Sequence, residues 1–98
     1  MVQVHLDQTK KFISVQGHAA NLSGVPGHNI VCAAVSAITL TLIEGLENIA
    51  LEHIKTRVES GLIIISWEKL NDIGSALIST WFLGILRIQE AYGEITII

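Results

Sequence analysis

Cysteine is nearly absent from this chain of 98 residues, where Cys32 is the only one. A single cysteine excludes an internal disulfide, so the sequence predicts a cytoplasmic protein in a reducing compartment. Met1–Asp7 lacks a charged leader followed by an apolar core, so we expect no signal peptide there.

Positive charge is also scarce. Six Lys and Arg residues stand against nine Asp and Glu residues, for a net charge of −3. Lys10 and Lys11 form the only adjacent basic pair. We therefore expect no direct nucleic-acid partner, because such proteins neutralise phosphates with clustered basic side chains.

Unbroken apolar runs of membrane-spanning length are missing too. Ile30–Ile43 and Ile73–Leu86 are interrupted by Ser, Thr or Gly. Both fall short of the roughly 18 apolar residues of a membrane span, so we expect no membrane partner.

Apolar side chains, in contrast, are abundant. Half of the residues are hydrophobic and only 15% are charged. The length fits a single domain over residues 1–98. A domain this small cannot bury so much apolar surface by itself. The sequence therefore predicts a homodimer whose interface covers the remaining patch.

Apolar periodicity divides the chain into seven elements. Alternation at Val2, Val4 and Leu6 predicts a half-buried strand. The predicted elements are strands over Val2–Asp7 and Phe12–Gln16, a helix from about Ile30 to Asn48, strands over Lys55–Glu59 and Leu62–Trp67, a helix from Asn71 or Asp72 to about Ala91, and a strand over Glu94–Ile98. The order β-β-α-β-β-α-β predicts an α+β fold with two helices on a mainly antiparallel sheet. Apolar residues on all sides of the first helix predict that it is buried nearly all round.

Gly17–Gly27 is predicted to be a loop, because glycine, Asn, Ser and Pro are concentrated there. Such a loop between rigid elements is a natural place for binding groups. Asn29, directly before the helix, is predicted to cap it with its side chain.

Cys32 is then expected about three residues into the first helix. Unpaired backbone N–H groups and the helix dipole favour an anion there, which lowers a cysteine pKa and raises the thiolate fraction. The same N–H groups could bind the oxyanion that forms when a thiolate attacks a carbonyl. The alternative is a small buried apolar residue, which is how most cysteines behave.

His18 follows a glycine at the end of a predicted strand. If the loop folds back over the helix, His18 can act on Cys32 as a general base and then as a general acid. The alternative is an ordinary surface histidine. Ser36 lies one turn beyond Cys32, where it supports the site or bonds a backbone carbonyl.

A zinc site of Cys32, His28 and His18 is a further alternative, because His28 stands four residues before the cysteine. The predicted cap at Asn29 places His28 outside the helix, and no second cysteine or nearby carboxylate completes the set. We therefore predict neither a metal nor another cofactor.

Two motifs together resemble a known family. They are Gly17-His18-Ala19 and the helix opening Ile30-Val31-Cys32-Ala33-Ala34-Val35-Ser36. The segment Gly84–Tyr92, followed by a β-branched strand, is similar to the family's carboxyl end. On these residues nearly the whole chain resembles the Prp family, the ribosomal-processing cysteine proteases of bacteria.

The resemblance implies a small cytoplasmic homodimer that cuts a protein substrate. Family members remove a short N-terminal extension from a large-subunit ribosomal protein, after a pair of aromatic residues, and phage relatives process capsid or scaffold proteins. The family nucleophile falls on Cys32 and the family base on His18. Supporting positions are Gly17, Ala19, Gly27, Asn29, Ala33 and Ser36, and the substrate loop, expected to close over the peptide, comprises Ala20, Asn21, Leu22, Ser23, Gly24, Val25, Pro26 and His28.

The chain departs from the family at Asn29, where an acidic residue is usual. Asparagine supports cysteine proteolysis in other enzymes, but it cannot place negative charge beside an imidazolium. We expect weaker activity or a lower pH optimum. The alternative function is a non-catalytic peptide-binding dimer that has lost its activity through this change. The loop from Ala20 to Pro26 also lacks acidic residues often found there, which leaves the choice between a ribosomal and a phage substrate open.

Overall fold

A computed structural model describes residues 1–17 and 28–98 of the chain, and at positions 28 and 29 it describes the backbone alone. The elements are β1 (Val2–Asp7), β2 (Phe12–Gln16), α1 (His28–Asn48), β3 (Ile54–Glu59), β4 (Leu62–Trp67), α2 (Asp72–Tyr92) and β5 (Ile95–Ile97). Their order is the predicted β-β-α-β-β-α-β.

The strands form one five-stranded sheet in the order β3-β4-β2-β1-β5. Hairpins join β1 to β2 and β3 to β4, and both pairs are antiparallel. β2 also pairs with β4 in antiparallel fashion. Among the five strands of the described residues, β5 alone runs parallel to its neighbour, β1, because α2 carries the chain back across the sheet before β5 starts. The predicted fold class is confirmed.

β1, β2 and β4 each bury one face. Val2, Val4, Ile13, Val15, Ile63 and Ile65 are at most 1% exposed and form the sheet's half of the core. From the helices, Val31, Val35, Leu46, Ile78 and Ile85 pack against them in the same cluster. Among the described residues, the Trp81 Nε1–H donates to Thr39 Oγ1 at 3.0 Å within this core and joins the two helices.

The helices approach closely at two glycines. A Cβ at Gly45 would lie 3.3 Å from Leu77 Cδ1, and a Cβ at Gly84 would lie 3.1 Å from Ile38 Cδ1. Each glycine therefore makes room for an aliphatic side chain of the other helix. This packing places the α2-facing flank of α1 at Ile38 and Gly45.

The start of α2 confirms the predicted cap. The Asn71 side chain accepts a hydrogen bond from the Gly74 N–H at 2.8 Å. At the other end the Gly93 N–H donates to the Gln89 carbonyl, so the helix runs one residue beyond the predicted Ala91.

The start of α1 differs from the prediction. The helix begins at His28 rather than Ile30, which makes Asn29 a residue of its first turn and not its cap. Two strands also differ slightly from the prediction. β3 begins one residue earlier, at Ile54, and β5 covers only Ile95–Ile97. Local propensity specifies such ends weakly, because tertiary contacts decide where a helix or strand begins.

The prediction that α1 is buried nearly all round is wrong for the single chain. Ala33 and Ala37 are exposed, and Leu40 is 42% exposed. By length and composition alone, Ile30–Asn48 could cross a membrane, with a mean hydropathy of 1.8, and a third of it is buried in the fold. The core helix of a globular protein meets that criterion as well.

Candidate active site

Cys32 is a core residue of α1. Its side chain is only 1% exposed and belongs to the same apolar cluster as its neighbours Val31 and Val35. Because α1 begins at His28, Cys32 is the fifth residue of the helix rather than about the third. Its own N–H therefore lies beyond the unpaired groups of the first turn and can donate to the His28 carbonyl four residues back. The expectation that Cys32 lies among the unpaired N–H groups is corrected accordingly.

Gly17 brings the end of β2 to this thiol. Cys32 Sγ lies 3.9 Å from the Gly17 carbonyl oxygen, to which it donates. On its other side, the Gly17 N–H donates to the Gly61 carbonyl at 2.9 Å. Gly17 thus joins the turn between β3 and β4 to the first turns of α1.

Only glycine fits at position 17. Its φ is 79°, in the left-handed region that side chains disfavour. A Cβ there would also lie 2.8 Å from the Met1 carbonyl oxygen, which is a backbone atom. The chain passes between Met1 and Cys32 at position 17, and glycine is the residue type that leaves room for both.

The surroundings of the Cys32 thiol shift its pKa. Burial raises the pKa of Cys32 above its ordinary value, because an apolar surrounding disfavours the thiolate. The positive amino terminus at Met1 opposes this rise in pKa but does not cancel it. The sequence argument from the helix dipole predicted a lowered pKa, and burial outweighs that effect in this structure.

The structure brings together only part of the predicted site. Gly17 and Cys32 are in contact, and Ser36 lies half-buried one turn further along α1, whereas Ala33 is exposed. His18, Ala19, Ala20, Asn21, Leu22, Ser23, Gly24, Val25, Pro26 and Gly27 lie outside the described residues, as do the side chains of His28 and Asn29. The distance from His18 to Cys32 therefore stays a prediction.

The backbone also bears on the zinc alternative. Since α1 includes His28, the residue stands four positions before Cys32 within one helix, so the argument that a cap at Asn29 excludes it is wrong. Among residues 1–17 and 28–98, no three His, Cys, Asp or Glu side chains form a group that could hold a metal ion. The prediction of no metal is untested at the segment between them.

Sequence reasoning missed the role of Gly61. Ser60 and Gly61 predicted a hairpin turn, and Gly61 indeed has a φ of 80°. Nothing in the motif indicated that its carbonyl would hold Gly17 in place. Only the pairing of β2 with β4 puts the two glycines side by side.

Comparison with known proteins identifies the family. The family model described as "Cysteine protease Prp" matches residues 1–96. The chain belongs to the Prp family of cysteine proteases. It is accordingly a cysteine peptidase, and the resemblance noted in the sequence is confirmed. Among curated proteins no match is found.

Solved structures agree with this fold. An essential ribosomal processing protease Prp from Staphylococcus aureus, in complex with a substrate peptide, has a TM-score of 0.83 at 23% identity, over 99% of this chain and 95% of that one. The same protease with a covalently linked product peptide gives 0.80 at 24% identity, over 99% and 97%. SMU.848 from Streptococcus mutans gives 0.79 at 25% identity, over 98% and 92%.

The substitution Gly17→Ala tests the fit at the junction, and Gly93→Ala is its matched control. Both glycines have positive φ, but a Cβ at Gly93 meets nothing within 4 Å. Gly93 has ψ −147°, a backbone region that favours glycine, so Gly93→Ala bears a conformational cost of about 1–3 kcal/mol without a collision. Gly17→Ala combines positive φ with a backbone collision, and we expect it to lower the free energy of unfolding in urea by more than the control does. Equal losses would contradict the geometry described for Met1.

The raised pKa of Cys32 predicts how stability depends on pH. Because the folded-state pKa lies above the unfolded value, the buried neutral thiol contributes its full stability below the ordinary thiol pKa of about 8.5. That contribution is lost as the pH rises through the folded pKa. Between about pH 7 and pH 10, the free energy of unfolding in urea should fall more steeply for wild type than for Cys32→Ala. Parallel curves would show that the thiol is not held neutral.

Proposed function

We propose that this Prp family member is an endopeptidase that removes the N-terminal extension of a ribosomal protein. One observation carries the proposal: the Gly17 carbonyl lies 3.9 Å from Cys32 Sγ, so the Gly-His-Ala motif begins in contact with the cysteine of the second motif. The Staphylococcus aureus relative is a ribosomal processing protease that was crystallised with a substrate peptide and with a covalently linked product peptide, which supports the substrate class.

In the proposed mechanism Cys32 is the nucleophile and His18 its base. His18 is bonded to Gly17 in the chain, and consecutive Cα atoms are only about 3.8 Å apart. The imidazole takes the thiol proton as Sγ attacks the scissile carbonyl carbon, and then gives it to the leaving amine. Water hydrolyses the resulting thioester with His18 again as base. Asn29 orients the imidazole in this scheme, in the manner of Cys-His-Asn proteases.

The raised pKa of Cys32 makes that base necessary. A thiol whose pKa lies above its ordinary value carries little thiolate at neutral pH. Proton transfer to His18 during attack supplies the nucleophile. In this scheme the contact in which Sγ donates to the Gly17 carbonyl belongs to the protein without substrate.

The second candidate is a peptide-binding dimer without catalysis. The same burial and raised pKa favour it, because a protonated thiol that is 1% exposed resembles a structural core cysteine. The two candidates differ in reactivity. A protease must let the thiol reach a carbonyl when peptide is present, whereas a structural cysteine stays out of reach.

We also propose that the protein is a homodimer in the cytoplasm. An apolar surface, the outer helix face, runs along the side of α1 and α2 that points away from the sheet, and the residues that form it are Ile30, Ala33, Ala37, Leu40, Ile73, Ala76 and Leu83. Ile30, Ile73 and Leu83 are all more than half exposed. A second copy of the chain would cover this face and explain the composition.

A peptide assay tests the proposed protease. The probe is a peptide with an aromatic-aromatic-small junction, and its products are followed by mass. We expect wild type to cleave it and both Cys32→Ala and His18→Ala to lose about a thousandfold or more. His53→Ala is the control, since that histidine is exposed at the end of the sheet where β3 begins. Cleavage that survives in both site variants would exclude the assignment. Wild type that binds the peptide uncut would favour the second candidate.

Charge substitutions test the proposed dimer. Leu40→Asp and Leu83→Asp, combined, place two carboxylates on the outer helix face, and we expect light scattering after gel filtration to give a monomer mass where wild type gives a dimer mass. Leu51→Asp is the control, because Leu51 is 77% exposed and lies outside that face. A dimer that persists in the double variant would place the interface elsewhere.

A further inference from the structure

One exposed residue continues the core toward the edge of the sheet. Val4, Val15, Ile63 and Val58 are partners in register across four neighbouring strands. Partners in a ladder point to the same side of a sheet, here the side that the helices cover. The first three are at most 1% exposed, whereas Val58 is 54% exposed. The helix layer therefore does not cover Val58 and leaves its aliphatic side chain exposed.

Val58 lies at the same end of the sheet as Cys32. Only five residues, 49–53, link the end of α1 to the start of β3, and the Glu52 N–H donates to the Leu46 carbonyl to close that link. The two elements consequently run in opposite directions, and the last residues of β3 lie beside the first turns of α1. Gly17 and Gly61 meet at this same end.

The thiol lies on the flank of α1 that faces this opening. α1 packs on both α2 and β3, so it lies between them. Its α2-facing flank is marked by Ile38, and six residues at 100° each place Cys32 about 120° away from it. Ser36, one turn on, is half-buried on the same flank as Cys32. A peptide that reaches the thiol from this side passes Val58.

We propose that Val58 is a specificity-determining contact of the proposed protease, where an apolar substrate side chain packs about three residues from the scissile bond. The inference rests on the proposed function. β3 lies two strand spacings from β2, or about 10 Å, and Gly17 at the end of β2 touches the thiol. An extended chain covers that distance in about three residues of 3.3 Å each.

The charges around Val58 agree with an apolar occupant. Its neighbours Arg57 and Glu59 point to the opposite face of β3, where they pair with each other. The side that Val58 shares with Ile63 presents no charged side chain from these two strands near this end. An apolar side chain is desolvated there without leaving a charge unpaired.

The test uses peptides with one aromatic-aromatic-small junction, in which Leu replaces Ser at single positions three or four residues before the scissile bond, or two, three or four residues after it. We expect wild type to prefer Leu over Ser at one of these positions by about tenfold in kcat/KM, mainly through KM. Val58→Asp should abolish this preference, and Val58→Thr, which keeps the shape and the β-branch, should reduce it. Thr56→Asp is the matched control, because Thr56 is exposed on the same side of the same strand, one pleat further from Cys32.

A binding measurement separates this inference from the proposed function. The same peptides are titrated into Cys32→Ala with and without Val58→Asp. Loss of the Leu preference in Val58→Asp, in cleavage or in binding alone, supports the contact. If peptides bind with that preference but are not cleaved by wild type, proteolysis fails and the contact stands. A Leu preference that persists in Val58→Asp overturns the Val58 contact, as does the absence of any Leu preference. If the peptides are neither cleaved nor bound, both the contact and the proposed function are overturned.

Discussion

The site depends on one backbone junction, where Gly17 passes between Met1 and Cys32. Its N–H is held by Gly61 and its carbonyl accepts from the thiol, so the residue ties the sheet to α1 from both sides. A side chain at this position would collide with Met1. The contact between the first residue of one motif and the cysteine of the other therefore follows from the register of the sheet.

The same junction produces the conflict at the centre of the molecule. Packing Cys32 into the core stabilises the fold, and it also raises the pKa of the thiol and removes it from solvent. A nucleophilic cysteine needs a lowered pKa and access to its substrate. The proposed mechanism resolves this through His18, which removes the proton only as attack occurs, so the resting protein keeps a neutral thiol that a buried site tolerates.

Much of the fold could be predicted, because the local patterns agree with the tertiary structure. Alternation at Val2 and Val4, the turn at Ser60 and Gly61, and the cap at Asn71 each predicted what the structure contains. The start of α1 could not be predicted, since the helix extends back to His28 through Asn29, whose residue type usually caps a helix. The exposure of Val58 could not be predicted either, because the residues around it resemble those of any strand. Only the position of α1 leaves Val58 uncovered.

Of the site itself, the two motifs indicated which residues belong together, but not the state of the thiol. A pKa argument from position in a helix considers one element, whereas burial depends on every element packed around it. The contacts of α1 with several elements also explain why apolar residues occur on all its sides. Its flanks face the sheet, α2 and the opening at Val58, and its outer face carries Ile30 and Leu40. A helix with so many neighbours loses the amphipathic pattern by which position could be inferred from sequence. If a second copy covers the outer helix face, as proposed, the interpretation of α1 as buried nearly all round describes the dimer, and the single chain departs from it only where that partner would lie.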